Sequence, residues 1–431
     1  MVEFAINLFA QFFVMRVVVH QLGISALGIW SLLMSAAQMA KLLDPGASAG
    51  AGRFLSLAEV ESNVTDIEKI LASIFYATFP LYLGLSVVIY LPLKELLGFV
   101  MHGDALILGK GLLVFAIGSY IFQTFANIYS SALISLHLGS FKSKICIVGS
   151  FLQAGLGLAL VGKYGLYGLA VAQILSYLFI AVFSLAALKV AIGISLGRLL
   201  ITDWRTLRRI TSFGLRIQLA SMAWTGFEMS IRFSMSHFGG LGQMGYYEIA
   251  SKFSSQARIL ASYICQPLAP ALVAFNAKGK NELKEFYRRV YARIGFFAFF
   301  SAAAIIVLSP LTGLVMLGTI NMDYVLFSVL TALGTAAHIT AIPSELTAIS
   351  TGTMRYNLAG STLSLGAMIV LGPLLGYFLH ARGVALAVLI CSLVGASIPI
   401  VFNSRVLALP IFPNIRRHLH VGELLRPWRR A

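Results

Sequence analysis

Apolar residues run along this chain in long, unbroken stretches separated by short polar breaks, and the stretches neither alternate in and out nor keep to one helical face. Leu106 to Leu136 and Gly295 to Leu317 are two of them. A segment apolar on every side is stable where no side meets water, and a helix needs roughly 20 such residues to cross a bilayer. Only helices and closed barrels satisfy their backbone groups inside lipid. Barrel strands would alternate over about ten residues, so the pattern predicts helices. Breaking the apolar windows at Gly, Pro and charge places them at 4–22, 24–56, 68–91, 105–136, 145–162, 165–188, 214–238, 242–275, 293–317, 323–351, 356–380 and 383–408. The second, fourth, eighth and tenth exceed a straight crossing. They are expected to tilt, or to break at Pro45-Gly46 and at Pro267 and Pro270.

Composition supports this reading. Of 431 residues, 58% are hydrophobic and 11% charged, whereas soluble domains are about a quarter charged and would precipitate with so much apolar surface. The three cysteines, Cys146, Cys265 and Cys391, fall inside apolar runs, which predicts free thiols rather than a disulfide framework or a zinc site. Met1 leads almost directly into an apolar run, without a basic region or a small-residue cleavage site, so no cleavable signal peptide is expected.

Charge supplies the orientation. With loops assigned alternately to two sides, the side bearing the N-terminus collects 23 Lys and Arg, and the other collects Lys94, Lys110, Lys163 and Arg382. The positive-inside rule then puts both termini in the cytoplasm and favours twelve crossings, since one missed helix would scramble the asymmetry. The net charge of +16 is explained by loops lying beside an anionic leaflet. No soluble basic domain exists to bind nucleic acid.

The chain also repeats itself. Gly28-Ile29-Trp30 returns as Gly245-Tyr246-Tyr247, Gly139-Ser140-Phe141-Lys142 as Gly352-Thr353-Met354-Arg355, and Gly168-Leu169-Ala170-Val171-Ala172 as Gly383-Val384-Ala385-Leu386-Ala387. The offsets are 217, 213 and 215, about half the chain. Six helices separate equivalent positions, which makes this a parallel repeat, an arrangement that transporters use to rock two lobes around a central site. The expected fold is an all-α integral membrane protein of about twelve transmembrane helices in two six-helix lobes. Residues 1–188 form the N-terminal lobe, 189–213 a cytoplasmic linker, 214–409 the C-terminal lobe and 410–431 a basic tail. In the linker, Trp204, Leu207 and Ile210 beside Arg205, Arg208 and Arg209 predict a short amphipathic helix on the membrane surface.

Leu22-Gly23 through Gly28-Ile29-Trp30, Phe213-Gly214-Leu215, and Gly245-Tyr246-Tyr247 with Lys252 resemble the polysaccharide-biosynthesis flippases. These are the O-antigen and exopolysaccharide transporters of the multidrug/oligosaccharidyl-lipid/polysaccharide exporter superfamily. The motifs are short, and the resemblance covers essentially the whole chain. It implies a V-shaped pair of six-helix bundles around a central cavity, moving a polyprenyl-diphosphate-linked oligosaccharide across the bacterial inner membrane. Membrane lipids and other polysaccharide-assembly proteins would be its partners. One departure is clear. Many family members carry an acidic residue just before the arginine of the seventh helix, where this chain has Ile231, with Glu228 one turn earlier.

Five basic residues lie deep inside the predicted spans, away from their ends: Arg16, Lys41, Arg232, Lys252 and Arg258. Each costs about 2.5–3.5 kcal/mol at the bilayer centre and so calls for a partner or a wet cavity. Arg16 and Arg232 are repeat-equivalent, as are Lys41 and Arg258. These five, with Arg53, are the candidates for binding the cargo diphosphate, since a guanidinium can hold two phosphate oxygens at once. The competing reading is internal pairing: Glu228 with Arg232 and Glu248 with Lys252 are both four apart, on one helix face. Lys41 and Arg53 also admit a snorkelling role at the interface. The embedded acids Glu228, Glu248 and Glu345 are the candidates for coupling to H+ or Na+, a desolvated glutamate being able to carry protons. Asp44 and Asp323 lie nearer the edges. Glu345 has no cation on its own helix, and its other reading is that it faces cytoplasmic water.

No cofactor or metal is expected. The fragment from Gly103 to Gly109-Lys110-Gly111 has the wrong spacing for a phosphate loop and no Ser or Thr after the lysine, so the chain is expected to be a secondary transporter and not an enzyme. Tyr246 and Tyr247 admit sugar stacking or, more simply, an interfacial aromatic belt. Two alternatives remain. A multidrug exporter of the same superfamily would favour acids over cations in its cavity. A polysaccharide polymerase or ligase would need more than the connection from Pro92 to Asp104, whose titratable groups are Lys94, Glu95, His102 and Asp104.

Overall fold

A computed structural model describes residues 2–39, 55, 64–193, 204–265, 280–351 and 354–406, and all regular structure among them is helical. The first six helices are α1 (Val2–Leu22), α2 (Ile24–Ala37), α3 (Val64–Gly98), α4 (Gly103–Ser135), α5 (Gly139–Tyr164) and α6 (Leu166–Ile192). The run Trp204–Cys265 is broken at Gly240, where φ is 77°, into α7 (204–239) and α8 (241–265). Then come α9 (Lys280–Leu317) and α10 (Met322–Thr351). The run Arg355–Ile398 is broken at His380, φ 52°, into α11 (355–379) and α12 (381–398). A π-helical turn, Pro399–Asn403, and the short Ser404–Val406 continue α12. The breaks at Gly240 and His380 fall where apolar windows end, and the described helices follow the predicted order.

Seven runs among the described residues are long and apolar enough to cross a membrane, two of them being the hairpins α5–α6 and α11–α12. Val87, Leu91, Phe299, Val307, Val370 and Phe378 are all more than 60% exposed, an apolar exterior suited to lipid and not to water. The chain is a multi-pass membrane protein. α7 and α8 fall outside the apolar set, and they are the helices that carry Glu228, Arg232, Glu248, Lys252 and Arg258.

Several boundaries differ from the windows. α3 extends past both predicted ends. α9 starts at Lys280, not near 293, because its first turns are amphipathic: Phe286, Tyr287, Val290 and Tyr291 are buried while Glu285, Arg288 and Arg289 are exposed. An apolar window cannot register such a face. The linker residues from Trp204 onward continue helically into α7.

The repeat has a structural counterpart in the two hairpins. A side chain on Gly168 would strike the Leu160 carbonyl, and one on Gly383 would strike the Leu375 carbonyl. Both pairs are separated by eight residues, and each member lies 215 residues from its equivalent. Higher in each hairpin a serine hydroxyl bridges the helices. Ser176 Oγ donates to the Gly149 carbonyl at 2.7 Å, and Ser364 Oγ to the Cys391 carbonyl at 3.2 Å. Positions 149 and 176 map onto 364 and 391, with donor and acceptor sides exchanged. Small residues and hydroxyl bridges are how helices associate in lipid, where burial of apolar surface supplies no drive.

By internal packing the chain forms two units, Met1–Gly245 and Tyr246–Ala431. In the first, Ile67, Ile70, Leu71 and Ile74 of α3 pack with Phe125, Tyr129 and Leu133 of α4 and Leu188 of α6. The start of α1 is tied to α5: Glu3 pairs with Lys142 and accepts from Ser143 Oγ at 2.7 Å. In the second, Ala261 and Cys265 of α8, Phe286, Val290 and Ile294 of α9, and Ile339 and Ile342 of α10 form the core. Cys265 and Cys391 are buried and Cys146 is partly so, all three as free thiols.

Candidate functional site

Two embedded charges of the first unit, Glu228 and Arg232, share one face of α7. Trp224, Glu228 and Arg232 follow each other at four-residue intervals and therefore stack along one helix face. Trp224 Nε1 donates to Glu228 Oε1 at 3.0 Å, and Arg232 Nη1 meets Glu228 Oε2 at 3.3 Å. The same Nη1 donates to the Glu228 carbonyl at 3.3 Å, and Arg232 Nε donates to Ser31 Oγ on α2 at 3.3 Å. Ser31 in turn gives its carbonyl to Ser35 Oγ at 2.9 Å. Arg232 is thus held between two helices, eight residues or about 12 Å of helix before the Gly240 break. Its side chain is 16% exposed and that of Glu228 is 40% exposed. The guanidinium is fixed while the carboxylate beside it opens outward. Ile231, where the family resemblance led to expect an acid, is buried.

Arg16 lies on an exposed stripe of α1 with Phe9, Phe13 and His20, spaced three and four apart, and the Phe9 and Phe13 rings stack at 6.2 Å. Lys41 and Arg53 lie outside the described residues.

In the second unit, Lys252 Nζ meets Glu248 Oε1 at 3.7 Å on α8, with Glu248 7% exposed and Lys252 31%. Arg258, one helix face further, is close enough for its charge to act on both His338 and Glu345 of α10. The charge that bears on Glu345 thus comes from a neighbouring helix, 87 positions away in sequence, without an ion pair between the two, and no same-helix spacing reveals it. Asn357 of α11 donates to the Glu345 carbonyl at 3.2 Å and accepts from Asn403 Nδ2 at 2.8 Å. Asn403 sits in the π-helical turn after α12, where Pro399 supplies no backbone donor. Ser344 Oγ donates to the Pro399 carbonyl at 2.6 Å. Such turns recur at functional sites. Tyr247 corrects the reading of that position as sugar contact or interfacial belt: it is buried edge-on against Phe327, ring centroids 6.4 Å apart, as a packing residue. Among the described residues no cluster of His, Cys, Asp or Glu could hold a metal ion.

The sequence match that decides the family spans α4 to the first turn of α10: residues 107–325, just over half of the chain, match the polysaccharide biosynthesis protein family. The chain belongs to this family. Solved structures carry the comparison to the whole fold of this polysaccharide biosynthesis protein. An inward-facing multidrug resistance MATE family transporter of the MOP superfamily superposes with a TM-score of 0.77 at 15% identity, over 94% of this chain and 95% of the other. The lipid II flippase MurJ, in an inward closed conformation, gives 0.71 at 16% identity over 97% and 90%. A MOP superfamily transporter from Pyrococcus furiosus, described as having a binding pocket of reverse polarity, gives 0.62 at 12% over 94% of each. At these identities the likeness is one of fold. No curated protein sequence matches the chain.

Proposed function

We propose that this polysaccharide biosynthesis protein is a flippase. It carries a polyprenyl-diphosphate-linked oligosaccharide across the bacterial inner membrane by alternating access, for O-antigen or exopolysaccharide assembly, with both termini in the cytoplasm. The observation that carries this reading is Arg232, a permanent charge on a helix expected to cross the membrane, held by Ser31 and Glu228. A cation kept there against its insertion cost is accounted for by an anionic cargo, and the guanidinium fork suits phosphate oxygens. Arg16, exposed on α1, is the second cation of the site, and Arg258, Lys252, Lys41 and Arg53 are its further candidates. Glu345, within range of the Arg258 charge, leads Glu228 and Glu248 as the group that couples export to H+ or Na+. Membership of the family and a fold shared with a lipid II flippase support the reading.

The test is export in a host lacking its own flippase and supplied with a matched glycan pathway. The parent chain restores surface glycan, while Arg16→Ala and Arg232→Ala accumulate in the membrane without restoring it. Normal export by both variants removes the cationic site. Unchanged export after collapse of both the proton and sodium gradients removes the coupling. The similarity to a multidrug MATE transporter favours a second reading, drug efflux. Embedded cations outnumber embedded acids five to three here, and a drug cation would need the opposite balance.

A further inference from the structure

An alternating carrier opens one fixed site to each side in turn, and for one-way export it does so once loaded and once empty. A cargo anion neutralises Arg232 in the loaded state, and in the empty one something else must, because an unpaired charge on a side chain only 16% exposed is costly. We infer that Glu228 is the resident counter-anion of Arg232, paired with it in the empty carrier and exchanged for a cargo phosphate on loading. This rests on the flippase reading above and adds to it the group that the cargo displaces.

The geometry separates the two partners. Arg232 contacts Ser31 on α2 and both the carbonyl and the carboxylate of Glu228. Two of these do not depend on the Glu228 carboxylate, so the guanidinium keeps its place when that carboxylate leaves. Glu228 is the more exposed partner, at 40% against 16%, so it can turn outward and remain hydrated. Trp224 Nε1 holds its other oxygen at 3.0 Å and gives the displaced side chain a hinge. The ion pair itself, at 3.3 Å, is longer than the optimum of about 2.7–2.9 Å for such bonds. It is a contact that a phosphate, with more charge and more acceptor oxygens, is able to replace. A resident competitor also keeps affinity low enough for release, as a conducting site requires.

The test is equilibrium binding of radiolabelled farnesyl diphosphate, a short polyprenyl diphosphate, to the full chain in nanodiscs, beside glycan export in cells. Glu228→Gln keeps an acceptor for Trp224 and removes the competing charge. It is expected to bind the probe about tenfold tighter or more, the factor that a charge-assisted hydrogen bond represents, and to export more slowly because release and empty return suffer. Trp224→Phe, which frees the carboxylate from its tether, is expected to shift affinity the same way by a smaller factor. It serves if the first variant fails to accumulate. Arg232→Ala is expected to lose binding. If Glu228→Gln binds no tighter while Arg232→Ala still weakens binding, the exchange is wrong and the cationic site stands. If Arg232→Ala binds as the parent does, the site itself is wrong and the exchange falls with it.

Discussion

The backbone of Gly28 on α2 lies directly against that of Gly245 at the start of α8. A side chain on Gly28 would run into the Leu241 carbonyl and come within 3.2 Å of the Gly245 nitrogen, and one on Gly245 would run into the Ile24 carbonyl. These glycines head the two copies of the repeated motif, so the copies touch one another at their equivalent positions. Only residues without a Cβ allow two helix backbones this close.

Gly28→Ala and Gly245→Ala are therefore each expected to destabilise the protein by about 1–3 kcal/mol, the usual cost of overpacking, read as a lower Tm in detergent. Gly366→Ala is the control. It lies in α11 with nothing within 4 Å of the added carbon, and should be neutral or gain about 0.5–1 kcal/mol from helix propensity.

The paired serine bridges give a second expectation. Ser176→Ala and Ser364→Ala each remove one donor from a buried carbonyl in equivalent hairpins, at about 0.5–1.5 kcal/mol each. Because the sites share no partners, the double variant should show the sum in its unfolding free energy.

The ion pair between Arg382 Nε and Asp323 Oδ1, 2.9 Å long, looks better than it should prove. Arg382 is 66% exposed, and an exposed pair contributes about 0–1 kcal/mol. Asp323→Asn should shift Tm by little, and by less still in high salt.

The crossings were legible because lipid imposes one rule, about twenty apolar residues per helix, on every segment. The four-residue pairs Glu228–Arg232 and Glu248–Lys252 were legible because helical spacing alone brings them together. What sequence could not reveal depends on which helices become neighbours. Ser31 meets Arg232 across 201 positions, Glu3 meets Lys142 across 139, and Arg258 reaches Glu345 from another helix. The amphipathic start of α9 escaped an apolar window for a different reason, since half its surface is charged. Tyr247 is not legible in sequence because an aromatic near a helix end reads alike whether it faces the interface or, as here, a neighbouring Phe327.

The proximity of Arg258 to Glu345 sets the last expectation, because it separates structural pairing from coupling. A charge left without its partner in a partly buried site is costly, whereas removing both partners together is often tolerated. Arg258→Met and Glu345→Gln should each lower Tm, and the double variant should recover part of the loss, with an interaction energy of about 0.5–3 kcal/mol. Stability and export should then part company. If Glu345 serves coupling, Glu345→Gln and the double variant both fail to export glycan although the double variant recovers part of its Tm, whereas Arg258→Met, which keeps the ionisable group, still exports. Export restored along with stability would make Arg258 and Glu345 a structural pair, leaving Glu228 and Glu248 as the carboxylates able to carry the coupling ion.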